Sequence, residues 1–220
     1  MKLVFLFTST FWVVSSVAQP AEAQLWRCGM RGISAEERVA ACTAAMQVAK
    51  DDPAPWHNRG IARLALKDYR NAVMDFTGSL RLKKEAQTHV FRGVSFSELG
   101  EYERALLDLE EALGMAPTSA EAHNALAWVL ATAATPGFRD GKRAIELARK
   151  ACVLGNWRDA AHIDTLAAAY AEAGDFAEAV RWQEKALADP AFAKGEELKE
   201  AQERLALYKA RKAWRHTPAR

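Results

Sequence analysis

Residues 56–76, WHNRGIARLALKDYRNAVMDF, are followed at residues 89–109 by HVFRGVSFSELGEYERALLDL, which has Arg-Gly, Tyr, Ala and Asp at the same relative positions. In the first copy Tyr69 stands nine residues after Gly60, and Ala72 and Asp75 follow at intervals of three. The first copy begins at residue 56 and the second at residue 89, which defines the period of the repeat. Self-similarity at a fixed period indicates that the chain stacks one structural unit several times.

Small residues mark the same unit twice more in the second half of the chain. Paired helices approach closely where side chains are small, so these positions predict two helices in each unit. Turn signals such as Gly100-Glu101 and Gly174-Asp175 separate the two helices. The recurring small residues are Ala72, Ala105, Ala144 and Ala179, the residues seven positions later (Ser79, Ala112, Ala151 and Ala186), and Gly60, Gly93, Ala127 and Ala167 in the preceding helix.

Two helices in a period of about 33 to 35 residues are typical of the tetratricopeptide repeat family, which the sequence resembles over residues 54 to about 188. The resemblance implies an all-α fold, an α-solenoid of about four helix hairpins with N- and C-terminal capping helices. Within a repeat region of 54–193, the hairpins are predicted at residues 54–85, 86–118, 119–158 and 159–193. The fourth repeat matches the family pattern at Ile163, Leu166, Ala167, Tyr170, Gly174, Phe176, Ala179 and Ala186.

The N-terminal segment, residues 1–23, has the layout of a secretory signal peptide. A positive end at Met1-Lys2 precedes the apolar run LVFLFTSTFWVVSSV and the small-residue exit AQPAEA. The run is shorter than the ~20 residues of a membrane-spanning helix, which favours cleavage after Ala23 or Ala18 over retention as a membrane anchor. We therefore predict a periplasmic or secreted protein without stable insertion in the membrane.

Export changes the interpretation of the three cysteines, because disulfides persist in an oxidising compartment. In a linear stack of helices ~8 to 10 Å apart, Cys152 lies beyond the reach of the other two. Cys28 and Cys42 are therefore the predicted disulfide, and Cys152 is the predicted buried thiol. A metal or redox site at the pair is the alternative, although the sequence has no CxxC and no nearby His.

Capping segments are predicted at both ends of the stack, over residues 24–53 and 194–220. Ser34 and Glu37 have the spacing of a capping box and open a helix, with the disulfide holding the coil before it. A second helix is predicted after the last repeat. The basic end KARKAWRHTPAR is interpreted as a solvated tail, with contact to an anionic surface or polymer as the alternative.

Two charged positions distinguish the first half of the repeat region from the second. Arg59 and Asp75 in the first repeat recur as Arg92 and Asp108 in the second with the same separation, and the third and fourth repeats have neither residue type there. Because Arg and Asp appear and disappear together, we predict an ion pair between the helices of each of these hairpins. Its expected role is structural, with a catalytic or anion-binding role as the alternative.

Five extra residues separate the two helices of the third repeat. The affected segment, residues 133–141, contains one Pro and two Gly and predicts a widened loop. Surface loops accept extra length at little cost in free energy, so a tolerated insertion is the simpler interpretation. A partner-contacting loop with Phe138 and Arg139 at its tip is the alternative.

Neither a catalytic site nor a cofactor or metal site is predicted. The net charge of +2 is too small to indicate a nucleic-acid partner. The five His are spread along the chain, and the sequence has no Gly-rich phosphate loop, GxSxG or HExxH motif. An enzyme with a site on the loop at residues 133–141 is a remote alternative.

The resemblance implies that partners bind on the concave face, which the first helix of each unit lines. Trp128 is the leading candidate because a large amphipathic ring makes a strong contact anchor, and packing inside the stack is its alternative. The hypothesis is a non-enzymatic scaffold or adaptor that binds a protein or peptide; a permanent structural subunit of a cell-envelope complex is the alternative. The concave-face candidates are Ile61, Val90, Val94, Glu98, Asn124, Trp128, Asp164 and Glu172.

Overall fold

The structure is a computed structural model that describes residues 21–190, 192, 194 and 196–219. These residues form eleven α-helices and one short 3-10 helix, and no strand occurs among them, which confirms the predicted all-α fold. The α-helices are α1 (Ala21–Gly29), α2 (Ala35–Val48), α3 (Pro53–Ala65), α4 (Tyr69–Leu82), α5 (Ala86–Glu98), α6 (Tyr102–Met115), α7 (Ala120–Thr132), α8 (Gly141–Leu154), α9 (Ala160–Glu172), α10 (Phe176–Leu187) and α11 (Glu196–Lys209), and the 3-10 helix is Pro136–Phe138.

Eight of these helices form four consecutive hairpins, in which α3 packs on α4, α5 on α6, α7 on α8 and α9 on α10. The first helices of neighbouring hairpins also contact one another, α3 with α5, α5 with α7 and α7 with α9. A row of helices whose members touch lies on the inner side of a curved stack. The first helices therefore line the concave face of the solenoid.

The helices of a hairpin approach closely at the small positions of the repeat. A Cβ atom at Gly60 would lie 2.6 Å from the Phe76 ring, and one at Gly93 would lie 2.8 Å from Leu109 Cγ. Both distances are well below the optimum of ~3.5 to 4.0 Å for two carbon atoms. These two Gly residues therefore set how closely α3 approaches α4 and α5 approaches α6.

The widened loop of the third hairpin is packed against the rest of the chain. Phe138 lies beside Tyr102, with ring centroids 5.7 Å apart, and Arg139 Nε donates to Glu172 Oε1 over 3.0 Å. At the end of the loop, a Cβ atom at Gly141 would lie 2.6 Å from a backbone nitrogen of the α9–α10 turn. Both residues at the predicted tip of the loop thus contact the chain itself.

The N-terminal cap consists of two helices rather than a coil and a helix. Ser34 and Glu37 exchange the two hydrogen bonds of a capping box at the start of α2, over 2.9 and 3.2 Å. The predicted coil before α2 is wrong, because Leu25 of α1 packs against the buried Cys28 and Cys42, which gives this segment an apolar helical face to bury.

The described cysteines form one disulfide and one free thiol. Cys28 of α1 and Cys42 of α2 form a disulfide. Cys152 is a free thiol, only 1% exposed, and burial raises its pKa to about 11. A thiol with such a pKa stays protonated and unreactive at neutral pH.

Most of the predicted signal peptide, residues 1–20, lies outside the described residues, so that prediction stays untested. Among the residues that the structure describes, no helix combines the length and apolar character needed to cross a membrane.

Candidate functional site

Two buried carboxylates, Asp75 and Asp108, form ion pairs across the first two hairpins. Arg59 donates to Asp75 through Nε and Nη2, over 3.0 and 2.7 Å, and Arg92 donates to Asp108 through the same two atoms, over 2.7 Å each. Asp75 is 1% exposed and Asp108 is 6% exposed. Because bidentate contacts satisfy both charges on burial, these pairs can fix the register between the helices of a hairpin.

Each of these Arg residues also bonds to a Thr in the preceding element, a contact that the sequence analysis missed. Arg59 Nη1 donates to Thr43 Oγ1 in α2 over 3.0 Å, and Arg92 Nη1 donates to Thr77 Oγ1 in α4 over 3.2 Å. The signal was present in the sequence, since Thr77 follows Thr43 at close to one repeat length. Each Arg therefore ties its hairpin to the element before it, and α2 takes the place of a second helix in an incomplete repeat.

A groove of about 1000 Å³ runs beside α5, α7 and α9 on the concave face, and α11 borders it. Carboxylates predominate among the charged residues that line it. The groove is therefore an acidic surface that attracts cations. The charged lining residues are Glu98, Glu121, Asp159, Asp164, Asp189, Glu197 and Glu200 on the acidic side, and Arg158 and Arg204 on the basic side.

The groove brings together a majority of the concave-face candidates. Val90 is instead part of the hydrophobic core, 6% exposed, and Ile61 lies on α3, beyond the described residues that line the groove. Glu172 lies at the end of α9 and accepts from Arg139. The candidates that line the groove are Val94, Glu98, Asn124, Trp128 and Asp164.

Asp164 is bound inside the protein and is not open to a partner. Its carboxylate accepts from Arg204 of α11 at 3.0 and 3.1 Å and from Gln183 at 2.5 Å. Asp164 and Arg204 are each 5% exposed. Burial raises the pKa of the Asp164 carboxyl, and Arg204 opposes that shift. This pair holds α11 against α9, so Asp164 anchors the C-terminal cap.

The chain after α11 is docked on the concave face. Residues 213–219, here called the tail, lack regular secondary structure. His216 N donates to Thr132 O over 2.9 Å, and Ala219 N donates to Glu98 O over 2.7 Å. Thr132 and Glu98 are the last residues of α7 and α5, where carbonyl groups lack intrahelical partners. The predicted solvated tail is wrong for residues 213–219, because these carbonyls bind its backbone amides, whereas residues 209–212 are exposed as predicted.

Side chains of the tail add aromatic and charged contacts. The ring centroids of Trp214 and Trp128 are 5.5 Å apart, and the Arg204 guanidinium lies 5.6 and 5.5 Å from these two rings. Arg215 Nη2 lies 2.6 Å from Glu172 Oε2 at the end of α9. Trp128 therefore lines the groove and also contacts the tail, so its ring is already engaged on one side.

Titratable side chains do not assemble into a metal site in the described part of the chain. No group of three or more His, Cys, Asp or Glu residues there has a suitable arrangement. His57, for example, bonds through Nδ1 to Thr88 Oγ1 over 2.8 Å, and burial lowers its pKa.

Comparisons with known proteins identify the repeat. Residues 86–119 and residues 160–189 each match a family model described as a tetratricopeptide repeat. These segments correspond to the second and fourth hairpins of the stack. No curated protein matches the sequence.

Solved structures share the fold over most of the chain. A MamA structure (41-end) from Desulfovibrio magneticus RS-1 is 25% identical with a TM-score of 0.61, over 86% of this chain and 98% of that one. A tetratricopeptide repeat protein from Parabacteroides merdae ATCC 43184 is 18% identical with a TM-score of 0.63, over 80% and 66%. YrrB, described as a TPR protein with an unusual peptide-binding site, is 16% identical with a TM-score of 0.55, over 77% and 84%. With two matching repeats and four stacked hairpins, the chain belongs to the tetratricopeptide repeat family.

Proposed function

We propose that the protein is an exported, non-enzymatic scaffold that binds a protein or peptide on its concave face. The observation that carries this proposal is the groove beside α5, α7 and α9, which α11 borders without filling. Its volume of about 1000 Å³ lies at the upper end of the range for small-molecule pockets. A groove of this size on a solenoid suits a segment of another chain.

Export is supported by two independent features. The Cys28–Cys42 disulfide joins the helices of the N-terminal cap, and such bonds persist in oxidising compartments. The N-terminal segment 1–23 has the layout of a signal peptide. A non-enzymatic role is supported by the repeats, because tetratricopeptide repeats generally present a binding surface on a constant frame.

Affinity capture from a periplasmic extract tests the proposal. The bait is the tagged full-length chain, and Asn124→Arg places a long side chain in the wall of the groove on α7. We expect the proteins captured by the wild type, identified by mass spectrometry, to be depleted at least tenfold with this variant. A single stoichiometric partner that survives a high-salt wash would favour a permanent structural subunit over an adaptor.

The matched control is Glu146→Arg, which adds an Arg on the exposed side of α8, away from the groove. This variant should capture the same proteins as the wild type. Circular dichroism must show that both variants retain the helical content of the wild type. Equal capture by Asn124→Arg and the wild type would mean that the groove is not the binding surface.

A further inference from the structure

The tail shows how this concave face holds a chain that lacks regular secondary structure. We propose that the surface at the ends of α5, α7 and α9 binds a basic, extended segment of a partner protein that carries an aromatic residue, and that this segment replaces the tail. This inference rests on the proposed function and names the chemical class of the partner. The surface, here called the tail-docking surface, consists of Glu98, Trp128, Thr132 and Glu172.

The spacing of the backbone contacts fits an extended chain. The two donating amides, of His216 and Ala219, are three residues apart and bond to the ends of neighbouring first helices. Three extended residues span about 10 Å. Packed helices are ~8 to 10 Å apart, so three extended residues reach from the end of α7 to the end of α5. This match uses backbone groups only, so a segment of another protein can make the same contacts.

The charge of the surface selects a basic segment. The C-terminus of a helix carries a partial negative charge, and three such ends lie side by side here. The carboxylates of Glu172 and Glu98 add to it, at 2.6 Å from Arg215 Nη2 and 3.8 Å from His216 Nε2, and Arg139 offsets part of the charge of Glu172. The stretch ARKAWRHTPA, residues 210–219, contains three Lys or Arg and no acid.

The aromatic position is built independently of the tail. Trp128 and Arg204 form a platform on which Trp214 lies. Arg204 is fixed by its hydrogen bonds to the buried Asp164, which do not involve the tail. The platform therefore persists when Trp214 leaves, and it can receive an aromatic ring of a partner.

Each contact of the tail is of modest strength. The two backbone hydrogen bonds and the partly exposed contacts of Arg215 with Glu172 and of His216 with Glu98 contribute little each, because water competes for the same groups. The Trp214 ring, which lies beside Trp128 and Arg204, contributes more. The covalent tether adds an effective concentration in the millimolar range at most. A partner segment that binds more tightly than the tail does, or that is present above this effective concentration, can therefore displace the tail.

A peptide-binding experiment with the full-length chain tests the proposal. The probe is a fluorescent synthetic peptide with the sequence of residues 210–219, and the variant Trp214→Ala/Arg215→Ala weakens docking of the resident tail. We expect this variant to bind the peptide at least tenfold more tightly than the wild type, measured by fluorescence anisotropy. In the wild type, hydrogen exchange should show protected amides at His216 and Ala219, and this protection should fall when excess peptide is added.

Matched controls test whether binding depends on the tail-docking surface and on the aromatic residue. Adding Glu172→Lys to the variant with the weakened tail should reduce peptide affinity at least tenfold, whereas adding Glu146→Lys, the same charge change on the exposed side of α8, should not. A peptide with Ala in place of its Trp should bind at least tenfold less tightly. Substituting Thr217, an exposed residue of the tail, by Ala should leave the wild-type affinity unchanged.

The proposal is wrong if the folded variant with the weakened tail does not bind the peptide, or binds it no better than the wild type does. Either result leaves the proposed function intact if the groove variant Asn124→Arg still loses captured proteins. Conversely, tight peptide binding without depletion of captured proteins by Asn124→Arg would support the tail-docking surface and contradict the proposed use of the groove.

Discussion

The two halves of the solenoid use buried charge for different purposes. In the first two hairpins, Asp75 and Asp108 bind an Arg from the other helix of the same hairpin. In the second half, Asp164 and Glu172 bind Arg residues of α11 and the tail, which follow the repeats in the chain. The first arrangement holds a repeat together, and the second holds the C-terminal segments on the concave face.

This difference shows which carboxylates are available to a ligand. A carboxylate that is satisfied inside a hairpin is not available on the surface. A carboxylate at the end of a first helix, such as Glu172 or Glu98, can instead bind any cation that reaches the concave face, whether from the tail or from a partner. The position of an acidic residue within the repeat therefore decides whether it stabilises the frame or recognises another chain.

The largest expected effect comes from breaking one pair of the first half. Asp108→Leu leaves the Arg92 guanidinium without its carboxylate in a mostly buried position. Removal of one partner of a buried ion pair costs ~3 to 5 kcal/mol. We expect the free energy of unfolding, measured by urea titration, to fall by about this amount.

The double variant Arg92→Leu/Asp108→Leu converts the second hairpin to the chemistry of the third, which has Leu126 and Leu147 at the equivalent positions. It should be more stable than the single variant, because the Arg92 charge is no longer left unpaired. It should remain less stable than the wild type, because the buried His89 loses its hydrogen bond to Asp108 in both variants. If the double variant is as unstable as the single one, the two halves do not differ in the way that the ion pairs suggest.

The next effect concerns the two caps. A disulfide holds the N-terminal cap, whereas the ion pair between Asp164 and Arg204 holds the C-terminal cap. Cys28→Ser/Cys42→Ser removes a disulfide between residues 14 positions apart. A loop of this size is worth ~3 kcal/mol in the chain-entropy model. We expect a comparable loss in the free energy of unfolding, measured with urea. A reducing agent should destabilise the wild type and leave this variant unaffected; equal midpoints for the wild type with and without reductant would contradict the prediction.

A smaller effect is expected at the helix crossings. Gly93→Ala puts a methyl group 2.8 Å from Leu109 Cγ, so the hairpin must shift. Overpacking of this kind costs ~1 to 3 kcal/mol, and the helix propensity gained by replacing Gly with Ala offsets about 1 kcal/mol of that cost. The third hairpin has the buried Ala127 at the same position, and Ala127→Gly should cost ~1 kcal/mol there through helix propensity. Thermal unfolding would show whether both substitutions lower the melting temperature. A Gly93→Ala variant more stable than the wild type would contradict the prediction.

The smallest effect is a dependence on pH in the first half. Burial lowers the pKa of His57 below its ordinary 6.5, so the unfolded chain binds a proton at a higher pH than the folded chain does. The contribution of neutral His57 to stability is therefore present above about pH 6.5 and is lost as the pH falls. Urea midpoints between pH 8 and pH 5 should decline less for His57→Gln than for the wild type. Parallel curves would show that His57 is not responsible.

The sequence predicted the frame well because the frame repeats. Two copies of Arg and Asp, and their joint loss in later repeats, were enough to identify residues that could pair across a hairpin. Thr43 and Thr77 were missed because the first of them lies in α2, outside the region where the repeat was recognised. A periodic pattern reveals an interaction only when both partners fall inside the repeated segment.

The docked tail could not be predicted from the sequence for a related reason. Residues 213–219 have no counterpart elsewhere in the chain, and their basic composition is equally typical of a solvated end. Their docking depends on backbone carbonyl groups at the ends of α5 and α7. A pattern of side chains in the sequence does not indicate which backbone carbonyls will bind another segment. The burial of Asp164 was likewise hidden, because it follows from the position of α11.

The match between three extended residues and one helix end has a statistical consequence. A partner whose basic motif recurs at three-residue intervals can bind in registers that differ by one repeat. If two registers have equal energy, the association constant is twice that of one register, because the segment can bind in two ways. This factor of two corresponds to about 0.4 kcal/mol of binding free energy. The tail-docking surface would then favour low-complexity segments over single motifs, and it would let a bound segment slide by one helix end without leaving the protein.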